Sequence, residues 1–169
     1  MKLNRIRNAS VGLETLNGKA KLDDLDLAIL RELQEECRTP LQEIAERVGA
    51  PVSTVHYRVK RLEREGVIEG YHAKINPEKM DLEYITAIRV SADYASGYYS
   101  VIGDELAKIP GVWAVYLVLG DYDFLVLTRS KDREEFLKII DNAIQVKGLK
   151  KTSTQVVAKL IKEDPRLVF

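Results

Sequence analysis

The chain has 169 residues, of which 46% are hydrophobic and 31% are charged, and its formal net charge is zero. This length fits one ordinary domain or two small ones, and the composition is that of a globular protein. No apolar run approaches the roughly 20 residues of a membrane-spanning helix, and the charged first residues lack the apolar core of a secretory signal. The balanced charge argues against bulk electrostatic binding to nucleic acid. We expect a cytoplasmic globular protein.

The sequence has few residues suited to metal or covalent chemistry. Cys37 is the single cysteine, so it cannot form an intrachain disulfide, and we expect it to be a small core residue. The two histidines, His56 and His72, have no partner at a metal-ligand spacing, and no Gly-rich phosphate loop follows a strand. We therefore expect no metal site, no catalytic residue and no cofactor.

The first half of the chain has the apolar periodicity of three short helices. Asp23 or Asp24 is placed to cap the first helix, Gly49 to end the second and Gly66 to end the third. The three apolar stripes can bury one another in a single small domain. They consist of Leu25, Ile29, Leu30, Leu33 and Cys37; of Leu41, Ile44, Ala45 and Val48; and of Val52, Val55, Val59 and Leu62.

The second and third predicted helices meet at a Gly-containing turn, Gly49-Ala50-Pro51, which is the build of a helix-turn-helix. The second helix of that motif enters the DNA major groove. Here it runs from Val52 to Arg64 and carries four basic residues against one acid, a local charge of +3. We expect its polar face to contact DNA. The candidate residues are Ser53, Thr54, His56, Tyr57, Arg58, Lys60 and Arg61.

Two of these assignments have structural alternatives. Arg58 could instead form an ion pair with Glu43 or Glu46 inside the domain, and His56 and Tyr57 could be surface residues without a role.

The second half alternates strands and helices. After an extended connector strand from Val67 to Ile75, Asn76-Pro77 breaks the pattern. The order that follows is βαββαβ, a ferredoxin-like antiparallel sheet with both helices on one face. Its predicted strands cover residues 84–92, 112–119, 124–129 and 152–161, and its helices cover 98–109 and 136–144.

Two predicted strands are apolar on both faces, as in Val112 to Leu119 and Phe124 to Leu127. Helices cover only one face, so a second copy of the chain is the simplest cover for the other. A homodimer would also place two recognition helices on a two-fold related DNA site.

The sequence thus predicts an α+β protein in four segments. A basic N-terminal extension covers residues 1–21, and a winged-helix-like helix-turn-helix domain covers 22–66. A connector strand and linker cover 67–80, and a ferredoxin-like domain for ligand sensing and dimerisation covers 81–169. The extension is either an additional DNA-contacting arm or a mobile tail.

Several spaced motifs carry a resemblance to a known family. They are Leu22-Asp23-x-x-Asp26-x-x-Ile29-Leu30, Ile44-Ala45-x-x-Val48-Gly49, Val55-x-x-Arg58-Val59-x-Arg61-Leu62-Glu63-x-x-Gly66-Val67-Ile68-x-Gly70-Tyr71, Pro110-Gly111-Val112 and Gly120-Asp121-Tyr122-Asp123. In this order they resemble the Lrp/AsnC, or feast/famine, family of bacterial and archaeal transcriptional regulators. One departure is Pro51, where many members of that family have a serine at the start of the recognition helix.

The resemblance implies a homodimer that often assembles further, into an octamer or disc, and responds to a small amino-acid effector. The effector would bind between dimers, and its binding would change assembly or DNA affinity and so transcription. A turn exposes main-chain groups and carboxylates that suit an amino acid, although Gly and Asp also favour ordinary hairpin turns. The residues that the resemblance places at this site are Gly120, Asp121, Tyr122, Asp123, Thr152 and Thr154.

Two other functions stay open at this point. Some tetrapyrrole (siroheme-type) decarboxylases resemble this architecture, but they would need a histidine and basic residues around a large pocket. His72 is the only histidine outside the recognition helix. The other possibility is an architectural DNA-binding protein without an effector.

Overall fold

The computed structural model describes residues 20–93 and 98–169, so all but the end of the predicted N-terminal extension lies outside the described residues. The chain divides into two units. The DNA-binding unit contains the helix-turn-helix up to Lys74 together with Lys162–Phe169, and the sheet unit spans Ile75–Ile161. Among the described helices, none has the length and apolar character to cross a membrane.

Three helices form the DNA-binding unit, and most residues of their apolar stripes pack as the sequence predicts. The exceptions are Val52, which is 46% exposed, and Cys37, which lies half-buried in the turn after the first helix and is not a core residue. Ile29, Ile44, Val55 and Leu62 have no exposed surface, and Val59 is 4% exposed. The helices are α1 (Asp24–Glu35), α2 (Leu41–Val48) and α3 (Val52–Arg64).

The helix ends also follow the sequence. Asp23, rather than Asp24, caps α1: its carboxylate accepts the Asp26 N–H at 3.0 Å, and the Asp26 carboxylate accepts the Asp23 N–H at 3.0 Å. This reciprocal arrangement is a capping box. Gly49 ends α2 with a left-handed φ of 67°, and Pro51 stands at the start of α3, where a missing N–H costs nothing.

The predicted connector strand is wrong: the structure assigns neither helix nor strand to residues 67–75. The chain turns back after α3, because the N–H groups of Val67 and Ile68 both donate to the carbonyl of Leu62, at 2.9 and 3.2 Å. In the part of the chain that the structure describes, no strand pairing is assigned to residues 69–75. A one-turn 3-10 helix, Glu78–Met80, follows.

The sheet unit has the predicted βαββαβ order. Its four strands form one antiparallel sheet in the order β2-β3-β1-β4. The last strand starts and ends earlier than the predicted 152–161, because Leu149 already pairs with Ala92 at the far end of β1. The elements are β1 (Tyr84–Ala92), α4 (Tyr98–Ala107), β2 (Val112–Leu117), β3 (Phe124–Ser130), α5 (Arg133–Ile144) and β4 (Leu149–Val156).

The two faces of the sheet differ sharply. Alternate residues of β1 and β3, such as Ile88, Val90 and Val126, are buried and belong to one core with residues of α4 and α5. The intervening residues, such as Ala87 and Leu125, point to the other face, where no described helix packs. We call this the open face of the sheet. It also carries Ala114, Tyr116 and Leu127, as cross-strand pairing shows.

Replacing Gly111 by alanine should lower the free energy of unfolding by about 1–3 kcal/mol. Gly111 has a φ of 90°, and a Cβ there would lie 2.5 Å from Cδ1 of Ile139 and 3.0 Å from the carbonyl oxygen of Arg129. Gly49→Ala is the matched control, because its φ of 67° is strained but nothing lies within 4 Å of the new Cβ. Urea unfolding followed by circular dichroism would measure both, and equal losses would contradict the steric argument.

Candidate DNA-recognition helix and ligand-binding turn

The outer surface of α3 holds most of the predicted DNA contacts. Thr54 is half-buried, and the exposed residues are Ser53, His56, Tyr57 and Lys60. Tyr57 has 60% of its surface exposed. These side chains stand near the start and middle of the helix, where a recognition helix contacts base edges. They share a surface because the apolar stripe occupies the inner face.

Arg58 and Arg61 lie on a different side of α3 and face α1. The Nη1 atom of Arg58 lies 2.5 Å from Oδ2 of Asp23 and 3.1 Å from Oδ1 of Asp26. Arg61 Nη2 donates to Oδ2 of Asp26. The alternative partners for Arg58 considered from the sequence are therefore wrong; of those two acids, Glu43 pairs with Arg47.

The Asp26 carboxylate has no exposed surface and joins α1 to α3. It accepts bonds from Arg58, Arg61 and the Asp23 N–H, so its buried charge is neutralised and hydrogen-bonded. The neighbouring Asp23 accepts the Asp26 N–H and the Arg58 guanidinium, which together lower its pKa to about 2. The same two carboxylates raise the pKa of Arg58. Sequence reasoning missed this cluster, although the Asp-x-x-Asp spacing at a helix start was its signal.

Internal pairing uses much of the positive charge of α3. Arg58 and Arg61 are neutralised by α1, and Nζ of Lys60 lies 2.8 Å from a Glu63 oxygen at the exposed surface. An exposed pair of this kind is weak and opens readily to another anion. Lys60 therefore remains suited to a phosphate, whereas the two arginines hold the helix in place.

The predicted ligand-binding turn joins β2 to β3. Gly120 and Asp121 are exposed, but Asp123 is only 7% exposed and is fully engaged. Its carboxylate accepts the Ala92 N–H at 2.7 Å, and its own N–H donates to the Val90 carbonyl at 2.9 Å. Asp123 thus attaches the turn to β1, a structural role that the sequence did not predict.

Tyr122 of this turn covers a cation that sequence reasoning did not select. The guanidinium carbon of Arg89 lies 4.6 Å from the centre of the Tyr122 ring, and Arg89 Nη2 lies 3.4 Å from the Ser153 hydroxyl. Its Nε is buried and has no hydrogen-bond partner in the described part of the chain. Arg89 pairs with Leu125 and Ser153 across the sheet and lies on the open face. The signal in the sequence was a single charge within an alternating apolar strand.

Thr152 and Thr154 share one side of β4, as predicted, but it is the side away from Arg89. Their cross-strand partners are Val90 and Ile88, whose side chains are buried in the core with the helices. Ser153 between them faces the open side. The structure therefore brings Tyr122, Arg89 and Ser153 together and leaves the two threonines on the opposite face.

The described residues contain no group of three or more His, Cys, Asp or Glu side chains that could hold a metal ion.

Two families match the chain. The family of winged helix-turn-helix DNA-binding domains matches residues 22–69, and the Lrp/AsnC ligand binding domain matches residues 85–167. This chain belongs to the Lrp/AsnC family. As an Lrp/AsnC protein, it is a DNA-binding transcriptional regulator with an amino-acid effector-binding domain, and it is not an enzyme. The tetrapyrrole decarboxylase alternative is therefore wrong.

Relatives of this Lrp/AsnC protein span nearly the whole chain. The HTH-type transcriptional regulator FL11 of Pyrococcus furiosus is 36% identical over 86% of this chain and 95% of its own length. The structure of the regulator NMB0573 from Neisseria meningitidis, a complex with L-Met, is 30% identical. It covers 88% of this chain and 97% of its own, with a TM-score of 0.81. The feast or famine regulatory protein Rv3291c of M. tuberculosis, complexed with L-methionine, is 28% identical, with coverages of 87% and 99% and a TM-score of 0.79.

Replacing Asp26 by asparagine should lower the free energy of unfolding of this Lrp/AsnC protein by about 2–3 kcal/mol, because Arg61 loses its close carboxylate partner and Arg58 keeps only that of Asp23. Unfolding in urea would measure the loss. The control is Glu134→Gln, which removes a carboxylate from an exposed pair with Lys138 at 3.1 Å and should change little. Similar small effects from both substitutions would refute a structural role for Asp26.

Proposed function

We propose that the outer surface of α3 makes the DNA contacts of this regulator. The observation that carries the proposal is the division of the helix into two polar sides. Arg58 and Arg61 are paired with the buried Asp26, whereas Tyr57 and Lys60 are exposed. Substituting an exposed residue therefore changes the DNA interface without disturbing the domain.

The exposed groups suit both phosphate and base contacts. Hydroxyls of Ser53 and Thr54 near the helix start can donate to phosphate oxygens or base edges, and Lys60 supplies a positive charge. His56 and Tyr57 add a hydrogen-bonding edge and an aromatic surface. Arg58 and Arg61 contribute chiefly by fixing the rotation of α3 about its axis, and any contact they make with DNA would compete with Asp26.

The regulator acts as a homodimer, with the open face of the sheet as its interface. Ala87, Leu125 and Leu127 form an apolar centre there, and Tyr116 at its margin is 51% exposed. An apolar sheet face of this kind is normally covered. A dimer presents two recognition helices to a two-fold related DNA site. The family resemblance further suggests that these dimers assemble into an octamer or disc. The regulator acts in the cytoplasm, where the DNA is.

The effector is a small amino acid bound at the Gly120–Asp123 turn. Arg89 offers a cation for the α-carboxylate, and the Ser153 hydroxyl lies beside it. Exposed Asp121 can accept from the ammonium group. Two structural relatives were crystallised with L-methionine, which supports an amino acid of similar size. Binding changes either assembly or DNA affinity, and through them transcription.

Thr152 and Thr154 define a second possible position for the same ligand. Their hydroxyls lie on the helix-side edge of β4, with Thr154 exposed. A ligand there would contact the threonines without approaching Arg89. The two positions make opposite predictions for substitution.

Lys60→Ala should weaken DNA binding and lower the slope of log affinity against log salt by about one, the value for one lost phosphate contact. Tyr57→Ala should weaken binding without that change in slope. Titration against a duplex selected from a random pool measures both, with Lys138→Ala, an exposed lysine of α5, as the control. Wild-type affinity in both variants would rule out this surface, and failure to select any sequence would favour an architectural role.

At least one of the twenty standard amino acids should raise the melting temperature of the protein, because a ligand that prefers the folded state stabilises it. Arg89→Met should abolish the shift by removing the carboxylate partner, whereas Thr154→Val should preserve it. The opposite pattern would place the ligand at the threonines. If no amino acid shifts the wild-type protein, the effector proposal fails, and DNA binding is judged separately.

A further inference from the structure

The last eight residues do not stay with the sheet that they follow. Lys162–Phe169 belongs to the DNA-binding unit, although β4 and the residues up to Ile161 belong to the sheet unit. The chain therefore passes between the units twice, once after Lys74 and again after Ile161. The second passage comes five residues after the end of β4, the strand that carries Ser153 and Thr154.

The centre of this attachment is a paired contact between Gln34 of α1 and the main chain of Leu167. The Gln34 Oε1 atom accepts the Leu167 N–H at 2.6 Å, and Gln34 Nε2 donates to the Leu167 carbonyl at 3.1 Å. One side-chain amide thus satisfies both main-chain groups of one residue. This contact fixes the position of the segment regardless of which side chain residue 167 carries.

Two charged contacts flank it. Arg31 donates to the Phe169 carbonyl through Nε at 3.1 Å and Nη2 at 2.8 Å, and its guanidinium carbon lies 5.6 Å from the centre of the Phe169 ring. Glu35 accepts from Arg166 at 2.6 Å. Arg31, Gln34 and Glu35 are spaced i, i+3 and i+4, so they form one face of α1.

The two ends of α1 therefore have different partners. At its start, Asp23 and Asp26 hold α3; in its last turns, Arg31 and Gln34 hold the segment that continues from β4. The contacts that Arg31 and Gln34 make are exposed, so each contributes little free energy of stabilisation. The attachment of the C-terminal segment to α1 therefore opens at a small cost in free energy.

We propose that residues 164–169, which follow β4 along the chain, form a strap that binds α1 and opens reversibly. When the strap is closed, the chain has an attachment on each side of residues 158–163: Val157 donates to the Ile85 carbonyl at 2.9 Å, and the strap is bound to α1. A change at β4 then reaches α1, and through Asp26 reaches α3. The last step, in which the change is effector binding, rests on the proposed function.

Hydrogen exchange measured by mass spectrometry on the full chain tests the strap without DNA or amino acid. In the wild type, the Leu167 amide, which donates to Gln34, should exchange at least about fivefold more slowly than in a free peptide, the ratio that one net hydrogen bond gives. The double variant Arg31→Ala, Gln34→Ala should remove that protection and also increase exchange in residues 149–157. Exposed Arg38 and Gln42 provide the matched control, Arg38→Ala, Gln42→Ala, which should change neither segment.

Arg166→Ala is a second variant that weakens the strap without changing the sequence of α1, so its effect cannot be attributed to a folding defect of that helix. It should raise exchange in 164–169 and 149–157 while leaving α3 protected. A wild-type segment that exchanges as fast as free peptide would overturn the strap. Release of 164–169 with no change in 149–157 would overturn the link to β4.

DNA titration of the same variants separates this inference from the proposed function. The double variant should still bind DNA, but the change in affinity caused by the amino acid found in the thermal screen should shrink by at least half. An undiminished change with a released strap would refute the coupling. If the wild type itself shows no such change, the effector proposal fails, while exchange still decides whether the strap exists.

Discussion

A buried carboxylate governs the arrangement of the DNA-binding unit. The charge of Asp26 is tolerable inside the protein only while the Asp23 N–H and the guanidinium groups of Arg58 and Arg61 all donate to it. Those donors come from the start of α1 and from two successive turns of α3. The requirement therefore sets where α1 begins and how α3 is rotated, and that rotation decides which side chains of α3 point outward.

The helix α1 has a role beyond supporting the recognition helix. Its stripe fills the core through Ile29, its first turn anchors α3 through Asp26, and its last turns hold the segment around Leu167. These contacts occupy different sides of one rigid element. Because Gln34 and Asp26 lie in the same helix, a displacement of α1 near Gln34 also changes the position of Asp26.

Much of the fold could be predicted because its signals are local. The bounds of α3 and β1 follow from clear periods of 3.6 and 2 and from flanking turn residues. The connector over 67–75 has a strand-like composition, but a strand also needs a partner, and composition carries no information about one. The observed bounds of the last strand differ from the predicted ones because they depend on its pairing with β1, which its own sequence pattern does not reveal.

The candidate sites were less predictable for a related reason. The burial of Asp26 and the direction of Arg58 depend on which helices pack together, and a basic residue on a recognition helix looks the same in sequence whether it faces DNA or a carboxylate. Likewise, Thr152 and Thr154 were correctly placed on one side of β4, but the sequence does not say which side of the sheet that is. The Arg89 and Tyr122 contact joins residues 33 positions apart along the chain.

The separation of anchoring from exposed residues on α3 has an evolutionary consequence. Since Arg58 and Arg61 hold α3 against α1, substitutions at exposed positions such as His56 and Tyr57 need not preserve that packing. Under the proposed function, descendants of this gene can accumulate changes at those positions and acquire new operator preferences while the scaffold stays stable. A paralogous set of regulators could diversify in this way from one ancestral helix.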